Sequence, residues 1–510
     1  MVNNKVENET TESIWITCIF IAIVCEGALR KWLLPTSLHP AAFLAKDILG
    51  ICYIAVHRND VGSKYKNTLT LLSYSAAGLL FISFLLGICN SWQSAIITYK
   101  NAVLWPLIAA CMVNNTTSET WKRLSLLTAP TAIGMFLLGG EQFFSPPSSW
   151  LNQYAWTAAG LQFPVATFGG VQGVRATGTF SYISGMSEFA VFSFVLCLYC
   201  FLDSSNLKQK ALLISGCSAS IGCAVESGSR APIVLIALVI ISCLAINLAS
   251  IKTVLYIATL VVVATAVAGL SLDKQMTVEY VKRWTVDPQE TLRRFTNEGL
   301  RGNYFEILSR NPIGTGLGQG NGYAVFESSQ TNRFVTTNVY DDGASIALYE
   351  SGLLGLLAFY LAPFILGWQC ILGFMARSPA VRLLNGTFGL VSVVGLIAGV
   401  WHDHNGAAFT WVQIGIWFCL ANNIYLKRSR RVTGRGRNRI AQNPTPQVID
   451  SNMQDLMDLT TKALLPQAGK GFGRDRKYLR MKTMVDSVSP SHPVPLWDRT
   501  CRLCLRCRCI

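Results

Sequence analysis

Residues 255–272 read LYIATLVVVATAVAGLSL, a stretch without one charged side chain. A strand crossing a membrane would be about 10 residues long and alternate in polarity; this run is longer and does not alternate. It matches the length of about 20 residues that an α-helix needs to span a hydrocarbon layer of about 30 Å. In lipid a helix satisfies every backbone N–H and C=O within its own segment, so the run is read as a transmembrane helix. Working outward, similar runs stand near 13–30, 41–57, 68–89, 95–113, 124–140, 182–202, 210–226, 231–249, 253–271, 352–374, 383–401 and 407–426. The predicted fold is an all-α integral membrane protein of about twelve transmembrane helices.

Composition agrees. Of 510 residues, 51% are hydrophobic and 14% charged, where soluble domains carry charge at roughly a quarter of positions. The formal charge of +15 suggests nucleic acid until it is located. From Lys427 onward lie 18 of the 43 basic and 6 of the 28 acidic residues, leaving 25 against 22 in the chain before it. The basic stretch KRSRRVTGRGRNR at 427–439 directly follows the last apolar run, as a cytoplasmic anchor beside anionic lipid does. Membrane lipid is therefore the expected partner of this stretch, and nucleic acid is not. Most of the 16 cysteines, among them Cys18, Cys25, Cys197, Cys200 and Cys217, sit inside apolar runs, where they act as small hydrophobes. The terminal CRLCLRCRCI lacks a second His/Cys pair at zinc spacing, so no metal is expected there. The organisation read from these features is a polar cytoplasmic start over 1–12, a polytopic membrane domain over 13–426 and a basic, disordered cytoplasmic tail over 427–510. The first run continues into Glu26 and Arg30 without a small-residue cleavage pattern, so it is a first span rather than a removed signal peptide.

Short-loop charges set the orientation. Arg58, Lys64 and Lys66; Lys122 and Arg123; Lys208 and Lys210; Lys252; and Arg377 and Arg382 fall on one side with the tail, which the positive-inside rule makes cytoplasmic. Two large loops, about 141–181 and 272–351, then face outward. Basic residues remain on that outer side without a topological reason: Arg30, Lys31, Arg175, Arg230, Arg283, Arg293, Arg294, Arg301, Arg310 and Arg333. A cationic outer face implies an anionic partner.

Several outward segments carry chemistry. In EGALRKWLLP at 26–35, Arg30 and Lys31 either snorkel to the interface, with Lys46 pairing with Asp47 or Glu26, or belong to an anion site. VRATGTFSYISGMSEF at 174–189 places Arg175 ahead of Gly, Ser and Thr that can offer donors to a phosphate at a helix start. ESGSRAP at 226–232 is a tight turn holding Glu226 and Arg230. Asp287 and Pro288 start a helix that places Arg294 and Arg301 on one face. The glycines of NPIGTGLGQGNG at 311–322 lack the strand, helix and Lys of a nucleotide loop; their backbone is expected close to a ligand or to the membrane helices. In YDDGASIALYESGLLGLL at 340–357, Asp341 and Asp342 either supply a general base or pair with the arginines. His402 and His404 of WHDHNG suit hydrogen bonding or proton transfer better than a metal.

With EGALRKWLLP, EQFFSPPSSWLN, RATGTFSYISG, ESGSRAP, and RNPIGTGLGQG followed by ESGLLGLL, the chain resembles the O-antigen polymerase and ligase superfamily, and more narrowly its exopolysaccharide polymerase-like members. The resemblance runs over about 13–426. It implies a multi-pass glycosyltransferase of the bacterial cytoplasmic membrane, working at the outer face on polyprenyl-diphosphate-linked oligosaccharide repeats. It implies no cofactor, and a chain-length regulator as a further partner. Arg175 and Arg301 or Arg310 match the family's loop arginines and Arg230 its outer-turn arginine; Arg294, Arg30 and Lys31 join them as substrate-binding candidates. Asp341, Asp342 and Glu306 are the candidate bases. In the ligases a His stands nine residues before the Glu of the ExG motif, a position held here by Asp341. The competing readings are a secondary transporter, which would show two similar halves, and a lipid-linked glycan flippase, which would need deep cations such as Lys46 and Lys100.

Overall fold

A computed structural model describes residues 2–57, 64–154, 165–167, 173–247, 304–320, 343–376, 378–397 and 404–440. The run at 255–272, the tail beyond 440 and the predicted helix after Asp287 lie outside the described residues. The chain divides into two units, Met1–Thr433 and Gly434–Ile510, and the first contains the helical bundle.

Among the described residues the structure is helical. The helices are α1 (Val2–Ala28), α2 (His39–Val56), α3 (Lys64–Asn115), α4 (Ser118–Phe144), α5 (Ile183–Asp203), α6 (Leu207–Glu226), α7 (Arg230–Asn247), α8 (Tyr304–Arg310), α9 (Gly343–Phe374), α10 (Pro379–Leu384), α11 (Leu390–Ile397) and α12 (His404–Ile440). Among the same residues, only an isolated bridge between Thr167 and Val174 has extended pairing. Among the described residues, eight helical segments are long and apolar enough to cross a membrane. Their burial fits that solvent. In α5, 83% of the apolar window is buried inside the protein, against 28% in α3, and α3 turns Phe81, Ile82 and Leu85 outward. Helix α5 is the most enclosed of these segments, and α3 leaves apolar side chains on the surface, as a lipid-facing helix does.

Two long helices are broken where the sequence needs them to be. Helix α3 is non-helical at Ser91 (φ −152°, ψ 96°), and its two arms lie side by side. Ser73 Oγ donates to Val103 O at 2.6 Å, Tyr99 hydroxyl to Ala77 O at 3.2 Å, and the Phe84 and Tyr99 rings stack at 4.4 Å. The element is thus an antiparallel hairpin of the two apolar runs near 68–89 and 95–113. Helix α9 breaks at Gly352 (φ 57°, ψ −146°), where a Cβ would stand 2.1 Å from Pro312 O. The predicted span begins at this break, after a first segment over 343–351.

The glycine-rich loop explains the second break. Thr315 and Gly316 donate their N–H groups to Tyr349 O and Glu350 O at 2.9 Å, Leu317 N–H donates to Ser83 O at 2.9 Å, and Asn90 Nδ2 reaches Thr315 O at 3.0 Å. The loop therefore lies between the tip of the α3 hairpin and the interrupted α9, using carbonyls that the interruption frees. Gly316 (φ 111°) packs against Gly87 backbone. Of the two neighbours expected for these glycines, a ligand or the membrane helices, the backbone approaches the helices.

Contacts at the two ends of the bundle differ. At one end Glu12 meets His57 at 2.8 Å, Lys122 meets Asp203 at 2.9 Å, and Trp121 Nε1 donates to Cys419 at 3.3 Å. Residues 26–35, 142–152, 175–181, 226–230 and 405 come together at the other end.

Candidate functional site

The site begins where α1 stops. Its last turn widens into a π turn over Leu29–Leu33, closed by Leu34 N–H to Leu29 O at 2.8 Å. Such widened turns recur at functional sites. Arg30 reaches back, its Nη1 2.8 Å from Glu26 Oε1, while Lys31 turns to the neighbouring loop and donates to Thr177 Oγ1 at 2.9 Å and Gly178 O at 2.7 Å. Lys31 is buried and does not snorkel, contrary to one of the sequence alternatives. The ring of Trp32 lies 4.5 Å from its ammonium, and Trp32 Nε1 donates to Trp150 O at 3.2 Å, tying the EQFFSPPSSWLN segment to the same place.

Glu26 is the hub. Its carboxylate accepts from Arg30, from Lys46 Nζ at 2.6 Å and from Ser181 Oγ at 3.2 Å. Lys46, on the second turn of α2, has no exposed surface, and it also donates to Asn405 Oδ1 of α12. Next to it on α2, Asp47 accepts from Lys100 of the α3 hairpin. Phe43, one turn before Lys46, holds its ring 5.1 Å from Arg30, 5.6 Å from Lys46 and 5.4 Å from Lys100. Three cations thus share one aromatic ring. Of the two pairings open to Lys46 from sequence, the structure selects Glu26.

The 174–181 segment is laid against α1 and α4. Gln142 does most of this: its Oε1 accepts from Thr177 N–H at 3.0 Å and Gly178 N–H at 2.8 Å, and its Nε2 donates to Leu151 O and Gly178 O. Thr179 Oγ1 donates to Val24 O at 2.6 Å, and a Cβ on Gly27 would come within 2.3 Å of Ser181 N. The N–H groups of Thr177 and Gly178 and the hydroxyls of Thr179 and Ser181, among the donors expected to offer themselves to a phosphate, are therefore already engaged within the protein. What the segment presents instead is the cations it organises.

The third motif joins through its backbone. Arg175 Nε donates to Ser227 O at 3.0 Å and Ala176 N–H to Glu226 O at 3.0 Å. Gly228 (φ 62°) turns the chain, and Arg230 opens α7, half-buried. In the 141–181 loop, burial also acts on the phenol of Tyr154, pushing it up to about 12, while its hydroxyl accepts from Ala166 N–H at 3.1 Å.

The remaining candidates are distributed otherwise. Glu306 and Arg310 pair with each other at 2.5 Å on α8, both exposed. Arg294, Arg301, Asp341, Asp342 and His402 lie outside the described residues, as does the side chain of His404. Gln142, Asn405 and the ring of Phe43 were not singled out from sequence. A neutral polar residue at a helix end leaves no charge signal; only the amide of Gln142 beside Phe143 and Phe144 hinted at an internal role. Comparison of the chain with known protein families, with curated proteins and with solved structures finds no match.

Proposed function

We propose that this protein is a membrane glycosyltransferase that polymerises or ligates glycan repeats carried on polyprenyl diphosphate, at the outer face of the bacterial cytoplasmic membrane. The supporting observation is a charge imbalance. The site gathers Arg30, Lys31, Lys46 and Lys100, with Arg175 and Arg230 at its border, against three carboxylates, Glu26, Asp47 and the adjoining Glu226. Lys31 is held by neutral oxygens alone among its hydrogen bonds. Burying an ion costs several kcal/mol unless an opposite charge compensates it. A diphosphate, carrying about two negative charges, supplies that compensation and gains charge-assisted hydrogen bonds.

In this reading the chain has twelve spans. The α3 hairpin supplies two, α6 and α7 one each, and the run at 253–271 another. The ends of the bundle fit an outward-facing site, because Lys66, Lys122 and Lys208 stand near the end opposite it. An acceptor hydroxyl attacks the anomeric carbon, and the bond from that carbon to the diphosphate oxygen breaks with inversion. Cations then stabilise the departing lipid diphosphate, the charge that grows most in the transition state. Arg175 and Arg230 border the same site. Lys46 and Lys100, the deep cations a flippase would need, are both bound to carboxylates, which weighs against that alternative.

The test is the glycan profile of cells carrying Lys31→Ala, Arg175→Ala or Arg230→Ala beside wild type and a deletion, at matched membrane levels. Polymer loss with accumulation of single lipid-linked repeats is the expected outcome, at about 10²–10³-fold in rate for an essential cation. Unchanged polymer in the deletion overturns the proposal.

A further inference from the structure

Glu226 ends α6, is buried at 4% exposure, and among the described residues neither of its carboxyl oxygens has a hydrogen-bond partner. Such a group costs free energy unless a ligand or a proton completes it. Its place is nevertheless built for it. A Cβ on Gly139 of α4 would stand 2.2 Å from Glu226 Oε2, and one on Gly140 would stand 3.5 Å from Oε1. Two consecutive glycines therefore open the wall of α4 where the carboxyl lies.

The niche adjoins the cation site. Glu226 O holds Ala176 N–H, while the next two residues, Thr177 and Gly178, carry the acceptors of Lys31. Gln142, one turn beyond Gly139 on α4, binds the same two residues. The thioether of Met186 touches both places, within 3.1 Å of a Cβ position on Gly139 and 3.0 Å of one on Gly178. Among the described residues, a cation lacking a charged partner and a carboxyl lacking any thus border one three-residue segment. Glu26 and Asp47, by contrast, are committed to cations, and Glu306 to Arg310.

We propose that the Glu226 carboxylate is the general base that takes the proton of the acceptor sugar hydroxyl, an inference that rests on the glycosyltransferase reading above. The acceptor O–H bond breaks with its proton passing to Glu226, and the acceptor oxygen bonds to the anomeric carbon. The bond to the diphosphate breaks, and its electron pair leaves with the lipid diphosphate. Glu226 then releases the proton to water.

The experiment uses the full chain in lipid vesicles with a polyprenyl-diphosphate-linked oligosaccharide as donor and, separately, an oligosaccharide hydroxyl or azide ion as acceptor. Azide has no proton to lose, so it needs no base. Glu226→Gln keeps the shape and is expected to lose about 10²-fold or more with the hydroxyl acceptor, while transfer to azide stays within threefold of wild type. Hydroxyl transfer within about threefold of wild type overturns the inference, and so does equal loss of both transfers. Should Glu226→Gln not accumulate, Gly139→Ala keeps the carboxyl but crowds it from its niche. It is expected to show the same separation, and unchanged hydroxyl transfer there overturns the inference. Absence of any transfer in wild type instead sinks the glycosyltransferase reading itself.

Discussion

Two carboxylates at the same end of the bundle have opposite surroundings. Glu26 accepts from Arg30, Lys46 and Ser181, so its charge is held on three sides. Glu226 is about as deeply buried, and its carboxyl lies against Gly139 and Gly140 of α4. The first carboxylate is a structural counter-ion whose removal strands cations. The second is tolerated because α4 makes room for it, and its removal strands nothing. Stability and activity are therefore expected to separate between these two sites.

Glu26→Ala tests the first half most severely. It leaves Lys46 and Arg30 buried without their counter-ion, a loss of about 3–5 kcal/mol, expected as a large fall in thermal midpoint in detergent and in membrane accumulation. An unaltered midpoint means that water or lipid phosphate already compensates those cations. Next in size is Gln142→Leu, which leaves the Thr177 and Gly178 N–H groups without an acceptor. At about 1–3 kcal/mol for each buried group left unsatisfied, loosening of 174–181 should appear as faster amide exchange there. Gly27→Ala should cost about 1–3 kcal/mol by overpacking α1 against Ser181, and an Ala that matches wild type in midpoint would show that contact to be soft. Lys122→Ala removes an exposed pair with Asp203 at the far end, worth under about 1 kcal/mol; a larger drop would mean that both ends of the bundle depend on charge. For Glu226→Gln the midpoint should hold or rise, since a neutral amide is cheaper to bury than an anion. A clear fall would make Glu226 structural and dissolve the contrast.

The helices were legible because lipid imposes its thickness on the sequence: runs such as 68–89 and 95–113 are apolar for the length of a span and broken by the polar stretch around Asn90 and Ser91. Their folding into one hairpin, with Leu317 joined to Ser83, was not legible, since it depends on a glycine loop more than two hundred residues later. For the site, the charged islands were visible as charges out of place. Their pairings were not. Glu26 and Lys46 are 20 residues apart, Lys31 and Thr177 are 146 apart, and Lys46 and Asn405 are 359 apart. Periodicity carries no information across such separations. Lys31 shows the limit well: a lysine at a helix end is expected to reach water, and only the loop folded over it keeps it buried.

The bond from Lys46 to Asn405 also sets a timetable. Glu26 is synthesised 20 residues before Lys46, so the two can enter the membrane as an already neutral couple. Asn405 follows 359 residues later, which at about 5–20 residues per second is a delay of roughly 20–70 s. Throughout that interval the lysine's last acceptor does not exist, and the newly inserted helices wait with one polar seam unfinished. Helix α12 acts as a keystone set late, so a chain cut short before it should present that seam to the quality-control proteases of the membrane.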